Sequence, residues 1–505
     1  MMYVSRLALD HFRSWEHLVV DLAPGVTILQ GRNGLGKTNI VEAVEVLSTG
    51  TSHRVTGSLP LIERGQTSAT IRANVTNITN PLAQESTAKS TTESVHTRNT
   101  QVSTASPSAI SSAAQSQSVV ENGSISPVIN PLGESSELTQ PAEPTIAEPT
   151  TTAATITTTT YELTIAARGA NRARINGGKS TYLRDVIGRI PSVSFTPDDQ
   201  RLIAGDPAGR RTLLNQAGAL LVPGYSDRLQ MIAKIARQRA ALLKQLGDPR
   251  NSATSESPYG YAPSPADAAL QGLEIWTGQF IEAGVTLTRD RQRLVDLLAE
   301  PFAAIYRELA GRDERVRLTY EPSFDEVLLY PDDPQPHISE HFQRIYPGEV
   351  ARGQNLIGPH RDDLSIELNG MPAREFASNG EMWTMALALK MALHTVIVRE
   401  RGVRPIVILD DVFAQLDESR RRQILDFAAR QDQVLITVAA ASDIPDVTDL
   451  AGATGGAAGG ADVAADGQTG ATAAQLHIID VADLVRQQNE YLHPDLAAFG
   501  IEVNS

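Results

Sequence analysis

The chain has 505 residues, enough for two or three domains each with its own core, and its complete lack of cysteine excludes a disulfide framework and thiolate metal sites. No stretch approaches the roughly 18 apolar residues of a membrane span and residues 1–21 lack the apolar core of a signal peptide, so no membrane partner is expected and a cytoplasmic location follows by default. The formal net charge of −15 argues against a protein coated in nucleic acid, although the charge is divided unevenly among segments.

The first strands are expected at Tyr3, Ser5, Leu7 and Leu9, at Leu18 to Leu22 and at Val26 to Gln30. Next comes Gly31-Arg32-Asn33-Gly34-Leu35-Gly36-Lys37-Thr38, followed by Ile40, Val41, Val44 and Leu47 at helical spacing. Thr67 to Ala73 reads as another strand. Residues 76–160 are rich in Ser, Thr, Ala and Pro and carry no Phe, Tyr or Trp, so they read as a disordered insertion. The strand at Tyr161 to Ala166 pairs best with Thr67 to Ala73, which places the insertion at a hairpin tip. Asn176-Gly177 then suits a tight turn, and Phe195 to Asp199 closes a β portion spanning 161–200.

From Arg201 the periodicity becomes helical. Helices are expected near residues 213–221, 229–243 and 270–310, with Pro301 as a kink or restart, and irregular Pro-rich sequence at 321–347. Residues 201–347 thus read as a helical second lobe. Strands return at Leu364 to Leu368, Ile406 to Leu409 and Val434 to Val438, with a helix from Glu381 to about Glu400. Residues 446–475 read as a Gly/Ala-rich linker, and 476–505 as an edge strand and tail.

The chemistry begins at 31–38. The pattern G-x-x-x-x-G-K-[ST] is a P-loop: glycines let backbone N–H groups turn toward phosphates, Lys37 reaches the β- and γ-phosphates, and Thr38 offers a hydroxyl to Mg²⁺. Pro405 to Leu409 followed by Asp410 and Asp411 has the form of a Walker B strand, with Asp410 as metal ligand and Asp411 orienting the attacking water. Lys37 and Asp410 stand 373 positions apart, so a large insertion divides the nucleotide-binding domain. Ser378-Asn379-Gly380-Glu381 reads either as an ordinary capped helix start or as an ABC-type signature facing the γ-phosphate of a partner subunit. Asp417 would belong to the D-loop.

These motifs resemble the RecF family of ABC/SMC-type DNA-repair ATPases. The resemblance is carried by Leu9 to Trp15, the P-loop with Asn39, Glu42 and Ala43, Gly50 to Arg54, Phe195 to Asp199, Gly205 to Arg211 and Gly358 to Asp363, with the Ser378 and Asp410 motifs. Asn379, Glu381 and Asn215 depart from the family pattern. The implied fold is α/β: an ABC-type P-loop ATPase head with an inserted, largely helical lobe II. Its head comprises residues 1–75, 161–200 and 348–445. The resemblance further implies ATP and Mg²⁺ as cofactors, a weak, DNA-stimulated ATPase, an ATP-dependent homodimer, binding at gapped DNA, and assistance to RecA loading with RecO and RecR.

Residues 161–244 hold fourteen Lys/Arg against six Asp/Glu, whereas 423–505 hold two against twelve. The basic region suits phosphate contacts, with Arg210, Arg211, Arg228, Lys234, Arg237, Arg239 and Lys244 as candidates; solvated helix faces are the plainer alternative. A transporter subunit would need a membrane partner, and a structural SMC-like protein would need long heptad-bearing arms. Additional carboxylate clusters, which a nuclease would require, are not evident.

Overall fold

The computed structural model describes residues 1–55, 57–79, 155–248, 265–413, 416–440 and 476–494. Residues 1–77 and 157–505 form one compact unit; of the second, 78–156, only the ends of two strands are described. In chain order the strands are β1 (Met2–Phe12), β2 (Trp15–Asp21), β3 (Gly25–Gln30), β4 (Ser68–Thr79), β5 (Thr155–Ala166), β6 (Arg172–Ile175), β7 (Thr181–Tyr182), β8 (Ser192–Phe195), β9 (Val316–Glu321), β10 (Asp363–Leu368), β11 (Met371–Pro372), β12 (Ile406–Asp410), β13 (Gln433–Val438) and β14 (Leu476–Asp480). The longer helices are α1 (Lys37–Thr49), α2 (Pro207–Leu221), α3 (Tyr225–Leu246), α4 (Pro265–Ala310), α5 (Pro334–Arg352), α6 (Asn379–Arg401), α7 (Glu418–Ala428) and α8 (Val481–Leu492).

The sheet that positions the site has the order β14-β3-β13-β12-β8, with every pairing parallel. The central strands β3, β13 and β12 are mostly apolar because both faces are covered, whereas the edge strand β14 is half-exposed. Val407 and Leu409 of β12 enter one core with α6 and the helical lobe, while Ile406 and Ile408 enter a second core with α1 and the antiparallel sheet β2-β1-β4-β5-β6-β7. Register is therefore strongly specified, since a one-residue slip would exchange the two cores' side chains. Helix α6 has enough length and apolar character to span a bilayer, but most of it is buried in this core.

Several expectations are corrected. The 161–200 segment splits between sheets: β5 to β7 join the antiparallel sheet, whereas β8 pairs in parallel with β12. Strands β4 and β5 also extend into both ends of the 76–160 segment. Helix α4 continues through Pro301 instead of restarting there. The Pro-rich 321–347 stretch is mostly α5, because Pro334 stands in the first helical turn, where a missing N–H costs little. Strand β10 was expected in the head, yet it pairs with β9 of lobe II. The anticipated tail contains α8. The disorder expected through most of 76–160, the 446–475 linker, and D-loop residues 414–415 lie outside the described residues.

Lobe II is held by buried ion pairs with well-matched hydrogen bonds. Arg239 donates to both Glu349 oxygens, at 2.9 and 2.6 Å, to Asn355 Oδ1 at 2.8 Å and to Thr277 Oγ1 at 2.9 Å, and it covers the Phe342 ring. Arg291 donates to Asp362 Oδ2 at 2.6 Å, while the Ser323 amide donates to Asp362 Oδ1 at 2.8 Å. Removing one member of such a pair strands a buried charge. Arg239→Ala should lower folding stability by about 3–5 kcal/mol, measured from urea denaturation midpoints, whereas removal of exposed Arg237 should change it by less than about 0.5 kcal/mol.

Candidate nucleotide and nucleic-acid sites

The P-loop joins the C-terminal end of β3 to the start of α1, the usual ligand-binding end of a parallel sheet. Gly34 and Gly36 have φ of 91° and 89°, in the left-handed region that glycine tolerates. At Gly36 space adds a second restriction: a Cβ would fall 2.8 Å from both Ser14 Oγ and Trp15 Nε1. Trp15 also donates to Gly36 O at 3.1 Å, so the β1–β2 turn braces the loop from below. Arg32, Asn33 and Gly34 form its exposed rim, with Gly31 and Leu35 half-buried beneath.

The Lys37 ammonium donates to Gly31 O at 2.6 Å, Arg32 O at 3.0 Å and Asn33 Oδ1 at 3.4 Å. Burial holds its pKa below the ordinary lysine range, against the opposing charges of Asp411 and Asp410. Asp410 Oδ1 accepts from Thr38 Oγ1 at 2.9 Å and from Thr437 Oγ1 at 2.7 Å. Burial raises the Asp410 pKa, and the two hydroxyls work in the opposite direction. Asp411 has φ 55°, fixed by its amide donating to Thr437 Oγ1 at 2.9 Å. Thr38 and Asp410 are oxygen donors within hydrogen-bond distance of each other, a pair that fits a hard cation such as Mg²⁺.

A second cluster gathers the other expected nucleotide contacts. Ser378 caps α6: its hydroxyl accepts from the Glu381 amide at 3.3 Å, and Glu381 Oε2 accepts from the Ser378 amide at 2.7 Å. These hydrogen bonds hold the Glu381 carboxyl below its ordinary pKa. Asp417 caps α7 by accepting from the Arg420 amide at 2.9 Å. Among the described residues, no hydrogen bond joins Ser378, Gly380, Glu381 or Asp417 to the P-loop.

The family described as the RecF/RecN/SMC N terminal domain matches residues 3–455. A protein described as DNA replication and repair protein RecF from Bifidobacterium longum subsp. infantis is 58% identical over 445 residues, covering 88% of this chain and 87% of that protein. The chain belongs to the RecF family. A RecF from Bifidobacterium adolescentis is 54% identical over 497 residues, covering 98% of this chain and 95% of its own. A solved structure described as the recombination mediator protein RecF-ATPrS in the RecFOR pathway superposes with a TM-score of 0.62 at 20% identity, covering 88% of this chain and 94% of that one. That likeness shows the shared fold, an α/β ABC/SMC-type ATPase head.

The residues carrying the RecF-family resemblance have physical work in this chain. Buried Glu42 of α1 binds Arg13 Nε at 2.9 Å, Arg54 Nη1 at 3.1 Å and the Ser52 hydroxyl, tying two motifs to the P-loop helix. Glu45 accepts from His53 at 2.6 Å; burial opposes the imidazolium, but this contact outweighs it and raises the His53 pKa. Asp362 and Asp363 of the Gly358 motif are scaffold: the first pairs with Arg291, the second with Arg210. Asn215 accepts from Tyr225 OH and Arg291 Nη2, each at 3.0 Å.

The candidate DNA residues separate into two groups. Arg210 is buried, with a bidentate pair to Asp363 at 2.6 and 2.8 Å, and Arg239 is buried against Glu349, so neither guanidinium can meet phosphate. Arg211 is half-buried and donates to Asp362 O; Arg228 is half-buried and paired with Asp290. Lys234, Arg237 and Lys244 are exposed on α3. The individual expectations missed Arg172 and Arg184, whose guanidiniums lie 4.5 and 4.4 Å from the exposed Tyr182 ring. Arg184 lines one surface recess with Met231, Lys234 and Arg237. Only the charge surplus of 161–244 signalled these residues, because the approach of Arg184 to α3 requires the fold.

Asp410→Asn should retain the hydroxyl contacts but reduce ATP turnover by at least about 100-fold, read as phosphate release; unchanged release would remove Asp410 from the reaction.

Proposed function

We propose that the protein is an ATP-dependent recombination mediator for DNA repair and replication. The carrying observation is that Thr38 and Asp410 meet at 2.9 Å in one half-site, while Ser378 and Asp417 belong to a separate cluster. In this reading a two-fold dimer places each P-loop against its partner's Ser378 signature, giving two ATP sites per closed assembly.

Loop amides and the positive end of α1 bind the phosphates, and Lys37 exchanges loop carbonyls for phosphate oxygens. When bound, Mg²⁺ supplies Lewis-acid charge compensation to the phosphates. Asp411, held by its left-handed backbone, orients the attacking water. Its short carboxylate has no hydrogen-bond partner among the described residues, in keeping with a weak ATPase. ATP closes the dimer through its higher affinity for the associated state, and hydrolysis reopens it.

DNA lies across Arg172, Arg184, Lys234 and Arg237, with Tyr182 offering an exposed ring edge to the backbone or an unpaired base. No base-reading motif accompanies these cations, which favours recognition of gapped or junction structure over sequence. In this reading DNA contact stimulates turnover and the protein assists RecA loading with RecO and RecR, a role that membership of the RecF family supports.

Sedimentation should show ATP-driven dimerisation of the wild type and a loss of that response in Lys37→Arg; an oligomeric state independent of ATP would overturn the dimer reading. The double variant Lys234→Glu/Arg237→Glu should weaken gapped-duplex binding at least about tenfold and flatten its logarithmic salt slope by about 2, measured by fluorescence anisotropy, without impairing ATP binding.

A further inference from the structure

We infer that Arg420 is a positioning residue that locks the signature-helix start to the D-loop cap, so that both meet the partner's ATP as one rigid surface. The inference rests on the dimer reading above. Arg420 lies in the first turn of α7, with 28% of its side chain exposed. Its own amide donates to Asp417 Oδ1 at 2.9 Å, and its Nη1 pairs with the other Asp417 oxygen. The guanidinium then reaches across to α6, where Nη2 donates to Gly380 O at 3.1 Å and Nε to Thr384 Oγ1 at 3.2 Å.

A simple capping pair would need only Asp417. Here the planar fork uses three edges to join two helix starts, which a point-charge ammonium cannot reproduce. Gly380 makes the approach possible, since a Cβ there would lie 2.8 Å from Arg420 Nη2. The charge is also informative. A cation beside the starts of α6 and α7 opposes both helix dipoles, so its placement gains little for either helix alone. An incoming phosphate reverses that balance, because the helix starts and guanidinium then act on it with the same sign.

The experiment uses the full chain as Arg420→Ala, Arg420→Lys and Lys37→Ala, each checked for an unchanged melting temperature. ATP hydrolysis by either Arg420 variant should fall at least about tenfold through kcat, while affinity for a fluorescent ATP analogue, set by the P-loop, should change less than about twofold. An equal mixture of Arg420→Ala and Lys37→Ala should turn over ATP faster than the sum of the two variants measured separately, because each mixed dimer carries one intact composite site. Full activity of Arg420→Lys would show that charge suffices and overturn the locking role. Failure of the mixture to recover would place Arg420 outside the trans surface. A wild type that neither dimerises with ATP nor hydrolyses it cooperatively would overturn the dimer reading as well; a wild type that does, beside a fully active Arg420→Ala, would overturn this inference alone.

Discussion

The nucleotide site depends on a buried carboxylate held between two hydroxyls. Asp410 receives Thr38 from the start of α1 and Thr437 from β13, so one side chain joins three elements that are remote in the chain. Such a group is costly to bury unless its oxygens are satisfied. Parallel register supplies the partners: Asp410 is paired with Thr437, and Thr437 with Leu29 just before the P-loop. The apolar strands below therefore serve chemistry by fixing where their last residues stand. A shift of one position would turn the acid toward a core and remove both hydroxyls.

The same logic explains why the head contains so many charged residues below its surface. Glu42 and Glu45 lie on the phosphate-loop helix with almost no exposure, yet they are surrounded by Arg13, Arg54, Ser52, His53 and Gln216. These contacts convert what would be a collection of loops into a brace for α1. Lobe II repeats the device with Arg210–Asp363, Arg239–Glu349 and Arg291–Asp362. Buried ion pairs of this kind specify one arrangement because each alternative leaves a charge uncompensated.

That device also marks the limit of what the sequence disclosed. The P-loop, the Walker B strand and the Ser378 cap were legible because each is a local pattern of residue types within a few positions, even where its partner is distant. Arg210 and Arg239 look identical, in one dimension, to Lys234 and Arg237; only the approach of Asp363 and Glu349 from more than 100 residues away separates scaffold from surface. Pro334 and Pro347 suggested irregular chain, although α5 accommodates one at its start and the other near its end. Strand β8 escaped correct placement because parallel pairing leaves no turn signal to reveal its neighbour, β12.

The position of β3 has a temporal consequence. Its two sheet neighbours, β13 and β14, begin at Gln433 and Leu476, some 400 residues after the P-loop strand has been made. During synthesis at roughly 5–20 residues per second, β3 would leave the ribosome tens of seconds before either neighbour exists. The phosphate loop is thus translated long before the sheet that holds it can close. A nascent chain can complete this sheet only after lobe II has emerged.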